Sequence, residues 1–205
     1  MTRIINAKKK ISRKLRVNLW GKSNDPYLKK NYKPGQHGPT ARNGRTSDYG
    51  RQLKAKQQLR KYHNITEKQF KSIFKEASRQ KGDASENFIT LLELRLDTVI
   101  YRANFVPTIF AARQSVSHKH VLINGKKVNI ASYRLKVGDV IELNDKAKNF
   151  NFAIDSLDKL ERDIPSYLKL DKDKKTVEII SKPIFEEVPY PVEMQPNLIV
   201  EFYSR

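Results

Sequence analysis

The distribution of charge constrains this chain more than any other feature. From Met1 to Lys81 there are 23 basic and 4 acidic residues, a net of +19, whereas residues 82–205 carry 18 of each. Like charges at that density repel one another, and a polyanion that sheds its own counterions on contact relieves the repulsion. A second excess is hidden inside the neutral part, where Arg95 to Lys136 holds 8 basic residues against the single acid Asp97. The pattern predicts two basic surfaces and makes nucleic acid the first partner to consider.

With 205 residues, 38% hydrophobic and 31% charged, the chain is long enough for one or two folded domains. It has no cysteine, which excludes disulfides, thiolate-held zinc and cysteine catalysis. No apolar run approaches the length of a membrane span, so no membrane partner is expected. The start, with no acid before Asp25, can be read as a mitochondrial transit peptide, but it lacks an amphipathic pattern and runs unbroken into further basic sequence.

Residues 1–46, rich in Lys, Arg, Asn, Gly and Pro, read as an extended basic arm that cannot bury enough surface to fold alone. Pro34-Gly35-Gln36-His37-Gly38-Pro39 is a turn-rich segment in it. Ser47 or Asp48 can cap a helix to about Tyr62. Thr66-Glu67-Lys68-Gln69 has the capping-box form. Phe70, Ile73, Phe74 and Ala77 then share one helix face, and Lys68, Lys71, Lys75 and Arg79 the opposite one. Gly82 ends that helix and Ser85 can cap the next, whose core stripe is Phe88, Leu91 and Leu92.

Thr108 starts a short helix that leads into two strand-like runs joined by Asn124-Gly125, a dipeptide that favours the positive φ angles of a tight hairpin. Val137–Leu143 alternates as a further strand, and Lys146–Arg162 reads as helix. Tyr167–Leu170 and Thr176–Ile180 suggest a second hairpin. Residues 197–203 have helix and strand signals alike, and local sequence leaves them open. The outline is α+β.

Phosphate binding needs cations set along a surface, and a helix feeding a hairpin supplies them from two directions: Arg113, His118 and Lys119, then Lys126 and Lys127. Asn124, Tyr133 and Arg134 can add polar or stacking contacts; the competing reading is a merely solvated basic face. The arm and first helix offer a second set in Lys8, Lys9, Lys10, Arg13, Lys14, Arg16, Arg42, Arg45, Arg51, Lys54 and Arg60. Trp20, Tyr27 and Tyr32 either stack on splayed bases or pack against protein.

Catalytic patterns are weak. His118 and His120 stand two apart, His37 and His63 lie elsewhere, and no HExxH, GxSxG or phosphate-loop motif occurs. Glu161 with Asp163, or Asp171 with Asp173, read as solvated helix ends and turns. Neither an enzyme, a metal site, a cofactor nor a small-molecule substrate is expected.

Taken in order, Pro34-Gly35-Gln36-His37-Gly38, Ser47-Asp48-Tyr49-Gly50, Arg95-Leu96-Asp97, Ala112-Arg113-Gln114, Val116-Ser117-His118, Val128–Tyr133 and Val200–Arg205 closely resemble the family of bacterial-type small-subunit ribosomal protein number four. The resemblance spans nearly the whole chain and implies that residue 1 begins the functional protein. It implies a mostly helical domain (47–94, completed by 182–205), interrupted by a small RNA-binding domain of helices plus antiparallel sheet (95–181). It also implies the helical reading of 197–203.

In function it implies a structural constituent of the small subunit that binds small-subunit ribosomal RNA early, at a multi-helix junction of its 5′ domain. Small-subunit ribosomal proteins number three and five would be later partners. A place near the point where messenger RNA enters, an influence on decoding accuracy and a cytoplasmic or organellar ribosome follow from the same likeness. By matching motif, Ser47, Asp48, Tyr49, Arg113, Ser117, His118 and Lys119 inherit RNA-facing roles, and Gln36 and His37 a place against the junction.

This chain departs from the family at three points. The cysteines with which many relatives hold zinc are missing, so packing and RNA alone must order the arm. Ile109 stands where a basic residue is usual and shares a helix face with Ala112 and Val116, which suggests core packing. Asn104 replaces a common glycine, a change suited to left-handed backbone. Two other readings are an RNA-modifying enzyme carrying the same small module, for which the chain has no spare domain, and a general nucleic-acid chaperone.

Overall fold

A computed structural model of the chain describes residues 7–40, 46–148, 150 and 161–204. Capping chemistry sets where its main helices begin. Ser47, Thr66 and Thr108 each accept a hydrogen bond from the N–H three residues on, at 3.2, 3.4 and 3.0 Å, opening α3 (Asp48–Tyr62), α4 (Glu67–Ala77) and α7 (Ile109–Ser117). One cap lies elsewhere than expected. Helix α5 (Ala84–Glu93) starts before Ser85, and it is Asp83 whose carboxylate accepts the Ser85 N–H at 3.2 Å. Ser85, one residue inside the helix, instead pairs its hydroxyl with Asn197 Oδ1 at 2.7 Å.

The chain divides into two compact units, Met1–Ser85 with Tyr190–Arg205, and Glu86–Pro189. In the first, the basic segment contains two short helices, α1 (Lys8–Leu15) and α2 (Pro26–Lys29), and Leu15 and Leu19 are buried. Arg13 folds this segment onto itself: its guanidinium donates to the carbonyls of Tyr32 and Lys33, each at 3.2 Å, and lies 4.8 Å from the Tyr32 ring centre. Gly38 is required by space, because a Cβ there would fall 1.8 Å from the Lys33 carbonyl oxygen.

The final segment is a helix, Pro196–Tyr203, packed along α3, and it is the helical reading that holds. Gln52 donates to Glu201 and Gln58 to the Glu193 carbonyl, both at 2.9 Å, while Phe74 stacks on Tyr203 at 4.7 Å. Tertiary packing decides what strand-prone local sequence left open. On α4 the expected faces appear, with Phe70, Ile73, Phe74 and Ala77 buried and Lys68, Lys71, Lys75 and Arg79 exposed.

The second unit holds α6 (Leu96–Arg102), α7 and a five-stranded antiparallel sheet. In chain order the strands are β1 (Val121–Ile123), β2 (Lys126–Lys127), β3 (Val140–Leu143), β4 (Leu168–Asp171) and β5 (Thr176–Ile179), arranged β2-β1-β3-β5-β4. Pairing Val121 with Leu143, Ile123 with Ile141, Ile141 with Val177 and Leu168 with Ile179 puts one apolar face inward. Asn124 and Gly125 turn the first hairpin with φ of 49° and 76°, as their sequence predicts. Asn104 has φ 57°, the left-handed backbone its glycine-like position requires, and Ile109, Ala112 and Val116 are all buried. Of the helix expected over Lys146–Arg162, α8 (Asp145–Lys148) is present, whereas Phe150, Glu161 and Arg162 are not helical, Arg162 being held by the Tyr101, Val106 and Pro107 carbonyls instead; 149 and 151–160 lie outside the described residues.

A buried ion pair ties this unit together. Arg102 donates from Nε and a terminal nitrogen to the two Glu93 oxygens, both at 3.0 Å, and from its other terminal nitrogen to the Pro189 carbonyl at 2.8 Å. The Tyr167 hydroxyl donates to the same carboxylate at 2.9 Å. Removing one partner of such a pair strands a buried charge, so Glu93→Ala is expected to lower the unfolding free energy by about 3–5 kcal/mol. Urea melts should show that loss, with much of it recovered when Glu93→Leu and Arg102→Met are combined. Equal stability of Glu93→Ala and parent would mean the pair supports nothing.

In the first unit Glu67 gathers Lys56 Nζ at 2.8 Å, Arg60 Nε at 3.2 Å and the Tyr203 hydroxyl at 2.9 Å. Burial works to raise the Glu67 pKa, but hydrogen bonds from Lys56 and Tyr203 and the charges of Lys56 and Arg60 outweigh it and hold the carboxyl below its ordinary value. The unfolded chain therefore takes up the proton first. The contribution is full above the ordinary glutamate range and is lost as pH falls through the lowered folded value. Between pH 6 and pH 3 the melting temperature of Glu67→Gln should consequently fall less than that of the parent; parallel curves would contradict the coupling.

Candidate nucleic-acid interface

Burying Ile109, Ala112 and Val116 turns the other side of α7 outward, and its end feeds the first hairpin. Arg113 is partly exposed, and His118 and Lys119 are exposed just past the helix. Burial pulls the Arg113 pKa down, Asp97 opposes this and Arg95 adds to it, so this cation sits partly desolvated beside a pair of opposite charges. That pair is bidentate and buried: Arg95 donates to Asp97 at 3.0 and 2.8 Å.

The same stretch of backbone carries the next group of candidates. The Leu96 N–H donates to the Tyr133 carbonyl at 2.9 Å and the Asp97 N–H to the Ala131 carbonyl at 3.2 Å, and Arg95 forms an isolated antiparallel bridge with Arg134. Tyr133 and Arg134, both exposed, therefore stand on a loop fixed by the residues that flank Arg113. Sequence reading placed Arg113, Tyr133 and Arg134 on the surface but did not reveal Arg95 and Asp97 as their support. The available signals are a lone acid in a cationic stretch and the Arg95-Leu96-Asp97 motif, and neither tells what the pair supports.

Lys119 has φ 60°, in the left-handed region that normally selects glycine at a helix end. Its carbonyl is gripped by Asn144 Nδ2 at 3.0 Å, and the Asn144 N–H donates to the His120 carbonyl at 2.9 Å, so the strained turn is held from outside the helix. A lysine here serves the fold less well than glycine would. Arg16, which closes α1 with φ 57°, repeats the pattern in the first unit. Lys126 and Lys127 are exposed at the hairpin.

Other candidates are engaged by the fold. Asn124 donates to Asp139 Oδ1 at 3.0 Å and accepts from the Val140 N–H at 2.9 Å, so its amide locks the hairpin to β3. Ser117 turns its hydroxyl back to the Arg113 carbonyl at 2.8 Å. Arg13 is committed to Tyr32 and Lys33, Asp48 pairs with Arg51, Ser47 caps α3, and Arg60 faces Glu67. Trp20 Nε1 reaches the Tyr62 carbonyl at 3.5 Å, so Trp20 and Tyr32 both pack against protein. Tyr27 is partly buried where α2 begins.

The remaining first-unit candidates are exposed: Lys9, Lys10, Lys14, Gln36, His37, Tyr49 and Lys54, with the Tyr49 ring 5.6 Å from that of Phe202. Lys8 opens α1, whereas Arg42 and Arg45 lie outside the described residues. Lys61, absent from the sequence-based set, has its pKa lowered by burial, then by Arg60 and Lys14, against a pull from Glu67. Three cations thus share one field in this unit. Among the described residues no cluster of three or more histidines, aspartates or glutamates can hold a metal ion, and no helix is long and apolar enough to cross a membrane. What these surfaces offer is fixed cations and hydrogen-bond donors, the chemistry of phosphate recognition.

Comparison with known proteins places the chain in a family. Residues 3–93 match the family described as Ribosomal protein S4/S9 N-terminal domain, and residues 94–141 match the S4 domain. The chain is 52% identical to the small ribosomal subunit protein uS4 of Pelagibacter ubique, 52% to that of Azorhizobium caulinodans and 50% to that of Afipia carboxidovorans, each time over 100% of both chains. The uS4 proteins are ribosomal structural proteins, not enzymes. With half its residues shared end to end and with both domains matched in order, the chain belongs to the uS4 family of small ribosomal subunit proteins.

Proposed function

We infer that this protein binds small-subunit ribosomal RNA directly, at a multi-helix junction of the 5′ domain, and nucleates assembly there as a constituent of the cytoplasmic or organellar ribosome. The observation that carries this reading is Lys119, a cation held in left-handed backbone at the meeting point of α7 and the hairpin, where the fold alone favours glycine. Arg113, Tyr133, Arg134, Lys126 and Lys127 extend the same surface. Residues 95–181 act as the RNA-binding domain; residues 47–94 with 182–205 form a helical domain, and the arm of residues 1–46 reaches the junction through Gln36 and His37. Shape and phosphate spacing supply most of the selectivity, since lysines and arginines at this density read backbone more than base edges. Small-subunit proteins number three and five are its later neighbours, near the place where messenger RNA enters, and through them it contributes to decoding accuracy.

The test is filter binding to a 5′-domain ribosomal RNA fragment at moderate salt, with excess transfer RNA and a junction-disrupted fragment as competitors. Binding that survives transfer RNA and is lost with the junction is expected. Equal binding to all three RNAs would point to a general nucleic-acid chaperone instead.

Residue by residue, Arg113→Glu or Lys119→Glu should weaken binding without unfolding the chain. Lys119→Gly separates fold from function more sharply: thermal stability should hold or rise, because glycine relieves the left-handed strain, while affinity falls roughly 5- to 150-fold, as for loss of one charged contact of about 1–3 kcal/mol. Unchanged affinity in Lys119→Gly would remove Lys119 from the interface.

A further inference from the structure

The outer face of α4 is a third cationic surface that the binding scheme above does not use. Lys68, Lys71 and Lys75 stand on the helix, and Arg79 follows in the turn continued by the Arg79 N–H to Glu76 carbonyl bond of 3.1 Å. Spacings of three, four and four residues put all four on one side, in a line of about 16 Å at the helical rise. All four are exposed, and among the described residues none of them is held by an ion pair.

Apart from Lys75 and Arg79 complementing the C-terminal end of the helix dipole, the fold gains nothing from this line. Lys71 with Lys75 and Lys75 with Arg79 are like charges four apart, an arrangement that destabilises a helix, whereas a glutamate in either place would support it. Nearby acids are occupied: Glu67 is bound to Lys56, Arg60 and Tyr203, and Glu76 has a contact of its own. The inner face of α4 is meanwhile fixed, with Phe74 stacked on Tyr203 at 4.7 Å and Phe70 at 6.4 Å from the same ring. The line of charge is therefore presented on a packed helix, so binding there would order side chains and not backbone.

We propose that Lys68, Lys71, Lys75 and Arg79 form a phosphate-tracking rail that grips a run of RNA backbone separate from the RNA held by α7 and the first hairpin. The occupant is a phosphodiester backbone because the face offers a regular row of mobile amines and a guanidinium with no apolar anchor among them, a surface that matches evenly spaced negative charge and little else. This rests on the reading of the protein as a ribosomal RNA binder.

The test replaces all four residues by glutamine in the full chain and measures affinity for the 5′-domain fragment across a range of salt. Losing four phosphate contacts should make the plot of log affinity against log salt shallower by about 3, at a slope of about 0.7–0.9 per phosphate. Removing the repulsion should leave the melting temperature equal or higher. The half-variants Lys68→Gln/Lys71→Gln and Lys75→Gln/Arg79→Gln should each give about half the change, which guards against a folding defect in the quadruple variant. An unchanged slope, while Lys119→Glu still weakens binding, would overturn the rail and leave the α7 surface standing. Loss of binding to poly-glutamate with no change in RNA slope would likewise overturn it, in favour of an acidic protein partner. If the parent chain shows no binding to the 5′-domain fragment that survives excess transfer RNA, the reading of the protein as a ribosomal RNA binder fails, and the rail with it.

Discussion

Self-repulsion among 41 basic residues against 22 acidic ones is the force this fold has to outweigh before RNA is present. It does so by keeping cations at the rim and tying the interior with a few charges that have no freedom left. Glu93, Arg95, Asp97 and Arg102 are each 2% exposed or less, and they form two bidentate pairs. Taking such charges out of water is costly, and apolar residues would often serve stability as well. What the pairs add is register. Arg102 reaches both Glu93 and the Pro189 carbonyl, and Tyr167 joins at the same carboxylate, so the residue before β4 and the last residue of the unit are held to its first helices at defined points.

The Arg95–Asp97 pair does for the surface what Glu93–Arg102 does for the core. Its backbone holds the loop of Tyr133 and Arg134, and its charges set the field in which Arg113 sits. A cation aimed at phosphate gains most if it is already oriented, since less side-chain entropy is then lost on contact. Asn144 gives Lys119 a comparable support by bonding the carbonyls of Lys119 and His120, at and just after its left-handed turn.

Legibility in the sequence followed the range of the interaction. Ser47, Thr66 and Thr108 act within three residues, Asn124-Gly125 within two, and the alternating faces of α4 within a few turns; each could be read from neighbours alone. Ser85 resembles a cap in sequence but is not one, because a carboxylate one position before the helix, Asp83, accepts the free N–H. Arg13 bonding to carbonyls 19 and 20 residues away, or Tyr167 bonding to Glu93 across 74, leaves no local trace. The terminal helix belongs to the same class, since its strand-prone residues become helical against α3.

The site was legible as chemistry and less so as assignment. Sequence picks out cations, but only coordinates tell which of them the fold has already taken. Asn124, Ser117, Arg13 and Arg60 have internal partners, so a phosphate would have to compete for them. Lys119, Lys126 and Lys127, by contrast, project without serving the core, and Lys119 does so against a backbone preference. The useful measure of a surface cation is therefore what it costs the fold to keep it there. By that measure the rail proposed on α4, whose like charges stand four residues apart, belongs with Lys119 and not with the solvated lysines common to any basic protein.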